Sequence, residues 1–252
     1  MLHAGTHAAS LLLLLALSAP AAPQALEALP RAVSPAPAQL TPEARGDLAM
    51  VRQEYVTAID FYRRAPQDSA TVWNKLGMAW HHLFAMEEAK RAYERALHLR
   101  PNYPEVLNNL GAVYYAERNY KKAVRYYRKA LALEPESATI YSNLGTAYFA
   151  EQKYDKGLLA YQSAFARDPT VFNDAGSVNV TEPLSSHGRA QQDYCIARIF
   201  AESGKTEIAL DYLRRALDEG FEDRRRLFGD QTLASLRATP EFVRLMSEQQ
   251  LR

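Results

Sequence analysis

Residues 104–137 read PEVLNNLGAVYYAERNYKKAVRYYRKALALEPES. Leu107, Leu110, Gly111 and Tyr114 in the first half, and Ala123, Tyr127 and Ala130 in the second, recur at spacings of three and four. That period belongs to two amphipathic helices. Pro135 stops the second, because the residue before a proline is pushed out of the α region. The same columns stand 34 residues upstream as Trp73, Leu76, Gly77, Trp80, Ala89, Tyr93, Ala96 and Pro101. They stand 34 residues downstream as Tyr141, Leu144, Gly145, Tyr148, Gly157, Tyr161, Ala164 and Pro169. Constant spacing across eight columns is the signature of a repeat array, in which each unit is one helix pair.

The residue types have physical reasons. Gly77 and Ala89 fall where the first helix must approach the second closely, and a larger side chain would force the pair apart at a cost of ~1–3 kcal/mol. Tyr93, Tyr127 and Tyr161 fill the gap toward the neighbouring helix, while Ala96, Ala130 and Ala164 let the next unit stack. Gly157 replaces Ala in the third regular unit, which at ~1 kcal/mol of helix propensity should make that unit the softest. The columns resemble those of the tetratricopeptide repeat, W-x2-L-G-x2-Y followed by Ala and Pro. The resemblance implies an all-α, right-handed superhelical solenoid of antiparallel helix pairs with one continuous core.

Working outward, Gly46, Ala58, Tyr62 and Ala65 keep the spacing of Gly77, Ala89, Tyr93 and Ala96, but Pro66 arrives about four residues early. Downstream, Ala197, Phe200, Ala209, Leu213 and Ala216 restore the pattern, with Gly204 and Gly220 placed as helix C-caps. The expected layout is a degenerate first repeat over 39–69, repeats over 70–103, 104–137 and 138–171, an insertion over 172–189, a last repeat over 190–222 and a helical cap over 223–252. In the cap, Asp230 and Thr239-Pro240 look like helix starts, and Leu233, Leu236, Phe242, Leu245 and Met246 would close the last repeat's exposed face. Residues 194–246 resemble the end-of-group repeat of bacterial tetratricopeptide proteins.

The N-terminus reads as a targeting segment. An almost uncharged apolar run over Ala8–Ala19 contains Leu11 to Leu15 without interruption. It is shorter than the ~20 residues that span a bilayer but suits a signal peptide over 1–21, with Ala19-Pro20-Ala21 as the small-residue exit. Only His3, His7 and the α-amino group offer positive charge ahead of it. Residues 22–38 are an Ala/Pro-rich linker. The expected compartment is therefore exported, periplasmic or extracellular, with no membrane span after cleavage. Cys195 is the one cysteine, so no intramolecular disulfide staples the fold.

Lys plus Arg number 30 against 29 Asp plus Glu, so no global field points to nucleic acid or membrane. Ser203-Gly204-Lys205-Thr206 lacks the earlier Gly of a phosphate loop, since Ile199 stands there, and it follows a helix. His81-His82 has no ligand partner at metal-binding spacing, and no base is placed for Cys195. No catalytic constellation, cofactor site or metal set emerges. Arg118, Lys121, Lys122, Arg125, Arg128 and Lys129 form a basic stripe opposite the packing residues, either a solubilising face or a surface for an acidic partner. Asn179-Val180-Thr181 matches an N-glycosylation acceptor.

Function is expected on the first helices, which line the concave side of a tetratricopeptide solenoid. The residues there not needed for packing include Asn74, Lys75, His81, Asn108, Asn109, Tyr115, Asn143 and Phe149. Asn109 and Asn143 lie one repeat apart in the same place, which resembles the asparagine ladder in the superhelix of O-GlcNAc transferase; Lys75 interrupts it. The resemblance implies side-chain amides gripping an extended peptide backbone, since an amide donates and accepts at once. The alternative is that Asn merely suits a solvated helix face. The reading is a non-catalytic scaffold or adaptor whose partner is another protein or an extended peptide. Its rival is a structural protein that self-associates through the N-terminal arm or the convex basic stripe. Protein recovered from its native host should begin at Ala22 by intact mass; a cytoplasmic chain retaining Met1 to Ala21 would remove the export reading.

Overall fold

The computed structural model describes residues 40–172 and 184–249. The signal peptide and linker expected over 1–38, most of the expected insertion including Asn179–Thr181, and the last three residues lie outside them. The described residues form helices and no strand. Five helix pairs follow in order: α1 (Pro42–Val51) with α2 (Tyr55–Arg64), α3 (Ala70–His82) with α4 (Met86–Leu99), α5 (Pro104–Ala116) with α6 (Tyr120–Leu133), α7 (Ala138–Ala150) with α8 (Tyr154–Arg167), and α9 (Ser186–Glu202) with α10 (Thr206–Asp218). Each helix packs most extensively on its pair partner and then on the next pair. First helices of neighbouring pairs also touch, α3 with α5, α5 with α7 and α7 with α9, so they line one inner face.

The close approach within a pair is made at glycine. A Cβ on Gly77 or Gly111 would lie 2.5 Å from the ring of Tyr93 or Tyr127, and Gly46 and Gly145 meet Tyr62 and Tyr161 as tightly. All four tyrosines are buried. The fifth pair solves the problem the other way, with Ala197 opposite Leu213, both fully buried. Gly157 is part of the same logic. Its absent Cβ would fall 2.7 Å from the ring of Phe149, which is 1% exposed. The helix-propensity cost expected there, ~1 kcal/mol, is offset by burying Phe149, worth ~1.5–3 kcal/mol.

Helix ends follow their local chemistry. Ser69, Ser137 and Ser185 accept backbone N–H bonds at the starts of α3, α7 and α9, and Pro104 opens α5. Arg100, Glu134 and Asp168 leave the helical region before Pro101, Pro135 and Pro169. Helix α2 has ten residues where α4, α6 and α8 have fourteen, the shortening that Pro66 imposes. The turn inside each pair needs a left-handed residue. Gly204 supplies it in the last pair at φ 73°, whereas Gln53, Phe84, Arg118 and Gln152 occupy it elsewhere at φ 58–60°.

Among the described residues the core falls into three clusters, where one continuous core was expected. One joins the first two pairs, one runs from α4 to α8, and one joins the last pairs to the C-terminal segment. Trp73 and Trp80 bridge the first two, and Leu184 bridges the second and third. The C-terminal segment comprises α11 (Arg224–Gly229), a 3-10 turn (Gln231–Leu233), α12 (Ala234–Arg237) and α13 (Pro240–Glu248). Asp230 and Thr239 cap it as their sequence suggests. Leu227, Leu233, Leu236, Phe242, Leu245 and Met246 are buried in the same cluster as α9 and α10. Asp230 ties the segment down, accepting from the Tyr194 hydroxyl and pairing with Arg198, each at 2.7 Å.

Two outcomes are expected in thermal melts. Gly111→Leu should destabilise by ~3 kcal/mol or more, because the Tyr127 ring leaves no room for a Cβ. Gln152→Gly should stabilise by ~0.5 kcal/mol, the left-handed strain relieved exceeding the extra chain entropy of glycine.

Candidate functional site

The inner face is open at its N-terminal end. A cleft of about 280 Å³ lies across α1, α3 and the start of α5, with Met50, Met78 and Tyr103 as its apolar parts. Asp47, Thr71, Asn74, Lys75 and Glu105 supply polar groups around it. These side chains meet because columns spaced by one unit face the same way on successive first helices. Lys75 Nζ donates to Glu43 Oε1 and Asp47 Oδ2 of the preceding unit, each at 2.7 Å. Burial alone would lower the Lys75 ammonium, but Asp47 and Glu43 outweigh it and raise its pKa. The other Asp47 oxygen accepts from Tyr62 Oη at 2.9 Å. Burial and that carboxylate keep the Tyr62 phenol protonated far above the ordinary range.

Asn74 is 2% exposed and acts as a junction. Its Nδ2 donates to Glu105 Oε1 at 2.8 Å, and its Oδ1 accepts from Asn109 Nδ2 at 3.0 Å. One unit on, Asn143 Nδ2 donates to Asn108 Oδ1, again at 3.0 Å. The asparagines form two separate pairs, each joining neighbouring first helices. This corrects the expectation that these amides are unused by packing. Stacking brings each Asn within reach of the residue 35 positions earlier, and the amide is engaged there. Asn109 and Asn108 remain half-buried, whereas Asn143 is 1% exposed.

Three other expected groove residues also take different places. Tyr115 and Phe149 are each 1% exposed. Tyr115 packs against the Tyr120 ring, and Phe149 lies against Tyr154 and Tyr161. Ser142 and Thr146 are buried as well. Tyr115 and Phe149 are thus buried within their own units, whereas α9 contacts α7 directly and Leu184 packs into both adjoining clusters. His81 is partly buried, and burial followed by its neighbour His82 lowers its pKa to about 4. A neutral imidazole results at ordinary pH, with Nε2 enclosed and without a hydrogen-bond partner among the described residues. Of the eight expected residues, the structure gathers Asn74 and Lys75 at the open cleft, with Asn109 bonded to Asn74. Glu43, Asp47, Met50, Tyr103 and Glu105 were missed. Alignment of the shortened first unit at a 31-residue offset would have placed Glu43 and Asp47 in the columns of Asn74 and Met78.

Elsewhere, no group of three or more metal-ligating side chains occurs among the described residues. Cys195 is buried on α9, where burial pushes its thiol up to about 12. No helix among the described residues is long and apolar enough to cross a membrane.

A family model described as tetratricopeptide repeat matches residues 104–137, and a TPR repeat model matches residues 85–118. A search of the curated proteins found no match. Among solved structures, a crystal structure of MamA protein superimposes with a TM-score of 0.50 at 18% identity, covering 75% of this chain and 93% of that one. MamA AMB-1 superimposes with a TM-score of 0.50 at 18% identity, covering 71% and 98%. YrrB, described as a TPR protein with an unusual peptide-binding site, covers 73% and 87% at 21% identity with a TM-score of 0.46. The two MamA structures share the fold. Tetratricopeptide-repeat models thus match residues 85–137 of the chain, at the centre of its five stacked helix pairs.

Proposed function

We propose that this protein is a non-catalytic scaffold or adaptor that works in an exported compartment and holds an extended segment of another protein. The segment lies in the inner cleft of the first three helix pairs. One observation carries the reading: the inner face is open there, with apolar Met50, Met78 and Tyr103 beside Thr71, Lys75 and Glu105. An apolar lining with a few convergent polar groups is what a binding site needs. Export is supported by the leucine-rich leader, which precedes every described helix.

Each polar contact adds ~0.5–1.5 kcal/mol net, and ordering the bound segment opposes it. A dissociation constant near the micromolar range, about −8 kcal/mol, is the expected scale. The partner is captured with the mature chain from its native compartment, and its bound segment is then titrated by calorimetry. Met78→Arg should weaken binding by about 10- to 100-fold, a loss of ~1.4–2.8 kcal/mol, with little change in melting temperature. Binding unchanged by Met78→Arg would place the site elsewhere.

The double variant Asn109→Ala, Asn143→Ala separates the amides' two possible roles. Because both donate to neighbouring helices, the melt should fall by ~1–3 kcal/mol in total. An unchanged melt accompanied by lost partner binding would return these amides to the ligand.

A further inference from the structure

The outer face of α6 is charged in a way that its neighbours are not. Lys121, Lys122, Arg125, Arg128 and Lys129 are all exposed, and no acidic residue occurs between Tyr120 and Leu133. None of the five forms an ion pair among the described residues. The flanking helices balance their charge: on α4, Glu87 holds Lys90 at 2.7 Å and Glu88 holds Arg91 at 2.9 Å. On α8, Asp155 and Lys156 stand side by side and exposed.

The arrangement works against the isolated helix. Lys121 with Arg125, and Arg125 with Lys129, are like charges at i,i+4, and Lys121 and Lys122 crowd the positive end of the helix dipole. Helices α4, α8 and α10 carry Glu or Asp in the first turn; α6 carries none. Aromatic rings hold the cations in place, with Lys122 5.0 Å from the Tyr114 ring centre and Lys129 and Arg125 at 5.3 and 5.6 Å from that of Tyr126. Repulsion retained on an ordered surface is relieved only by an anion from outside.

We infer that the ridge of α6 from Lys121 to Lys129 is a second docking surface, separate from the inner cleft, that takes an acidic segment of a partner protein in extended form. The dimensions favour one chain over a broad polyanion. The ridge is one helix wide and runs for about 12 Å, which matches about four residues of extended peptide. A membrane or a nucleic-acid duplex is broader than one helix and would also meet α4 and α8, where Glu87, Glu88, Glu94 and Asp155 match the neighbouring cations and cancel most of the further attraction.

The test uses a fluorescein-labelled hexaglutamate peptide and the full chain, followed by fluorescence anisotropy at low and at near-physiological salt. Hexaglutamine, vesicles of anionic phospholipid and a DNA duplex are the comparison probes. Hexaglutamate should bind and hexaglutamine should not, with affinity falling about tenfold as salt shortens the screening length. Arg125→Glu with Lys129→Glu should abolish binding while the melting temperature stays constant or rises. Met78→Arg in the inner cleft should leave this binding unchanged, so the two surfaces are told apart. Absence of binding at low salt, binding that survives the double charge reversal, or binding lost in Met78→Arg would each overturn the ridge assignment. Tighter binding of vesicles or duplex than of hexaglutamate would overturn the acidic segment as its occupant.

Discussion

The contact between a glycine on the first helix and a tyrosine ring on the second is what the rest of this structure depends on. Four pairs make it, through Gly46 and Tyr62, Gly77 and Tyr93, Gly111 and Tyr127, and Gly145 and Tyr161. With no Cβ in the way, the ring is buried against the first helix, and the two helices reach a fixed separation. That separation sets where the next pair can stack, so a local steric choice propagates along the array. The exceptions obey the same volume rule. Leu213 faces Ala197 instead of a glycine, and Gly157 makes room for Phe149.

Burying a tyrosine in every unit raises the question of its hydroxyl. At the ends of the array it is answered. Tyr62 donates to Asp47, while the Tyr161 hydroxyl meets Thr146 at 2.8 Å and accepts from Gln192 at 2.7 Å. In the middle, the position of Asp47 and Thr146 is held by Met78 and Ala112, and the hydroxyls of Tyr93 and Tyr127 are enclosed without a hydrogen-bond partner among the described residues. Such a group costs ~1–3 kcal/mol, which the ring's packing must exceed. The same position therefore trades polar satisfaction inside the pair for an apolar inner surface, as Met78 shows in the cleft.

Charge is divided between the two sides. At the inner face near the N-terminus, Glu43, Asp47, Lys75, Asn74 and Glu105 are joined by short contacts between units, where a single ammonium serves the three carboxylates and the patch stays acidic. On the outer face, α6 holds its cations apart from any acid. Because the whole chain carries a formal charge of only +1, this asymmetry is invisible in the composition and emerges only when helices are assigned to faces.

The repeat period, the helix ends at Pro101, Pro135 and Pro169, the glycine contacts and the capping leucines were all legible in the residues. Each is a short-range rule of sterics or periodicity that acts within one or two helices. The same is true of the outward direction of the basic stripe, which follows from helical spacing alone. What one-dimensional spacing could not show is which inner residues stay open. Asn109 and Asn143 are equivalent by period, yet one is half-buried and the other sealed, because α9 closes over α7 and Leu184 packs between the clusters. Likewise Asn74 reads as a free amide until α5 stacks and brings Asn109 and Glu105 to it. The sequence by itself determined the unit and its repetition, since those depend on contacts a few residues apart. Only the tertiary structure decided the exposure and hydrogen bonding of the inner face, because both depend on how the next unit lies against it.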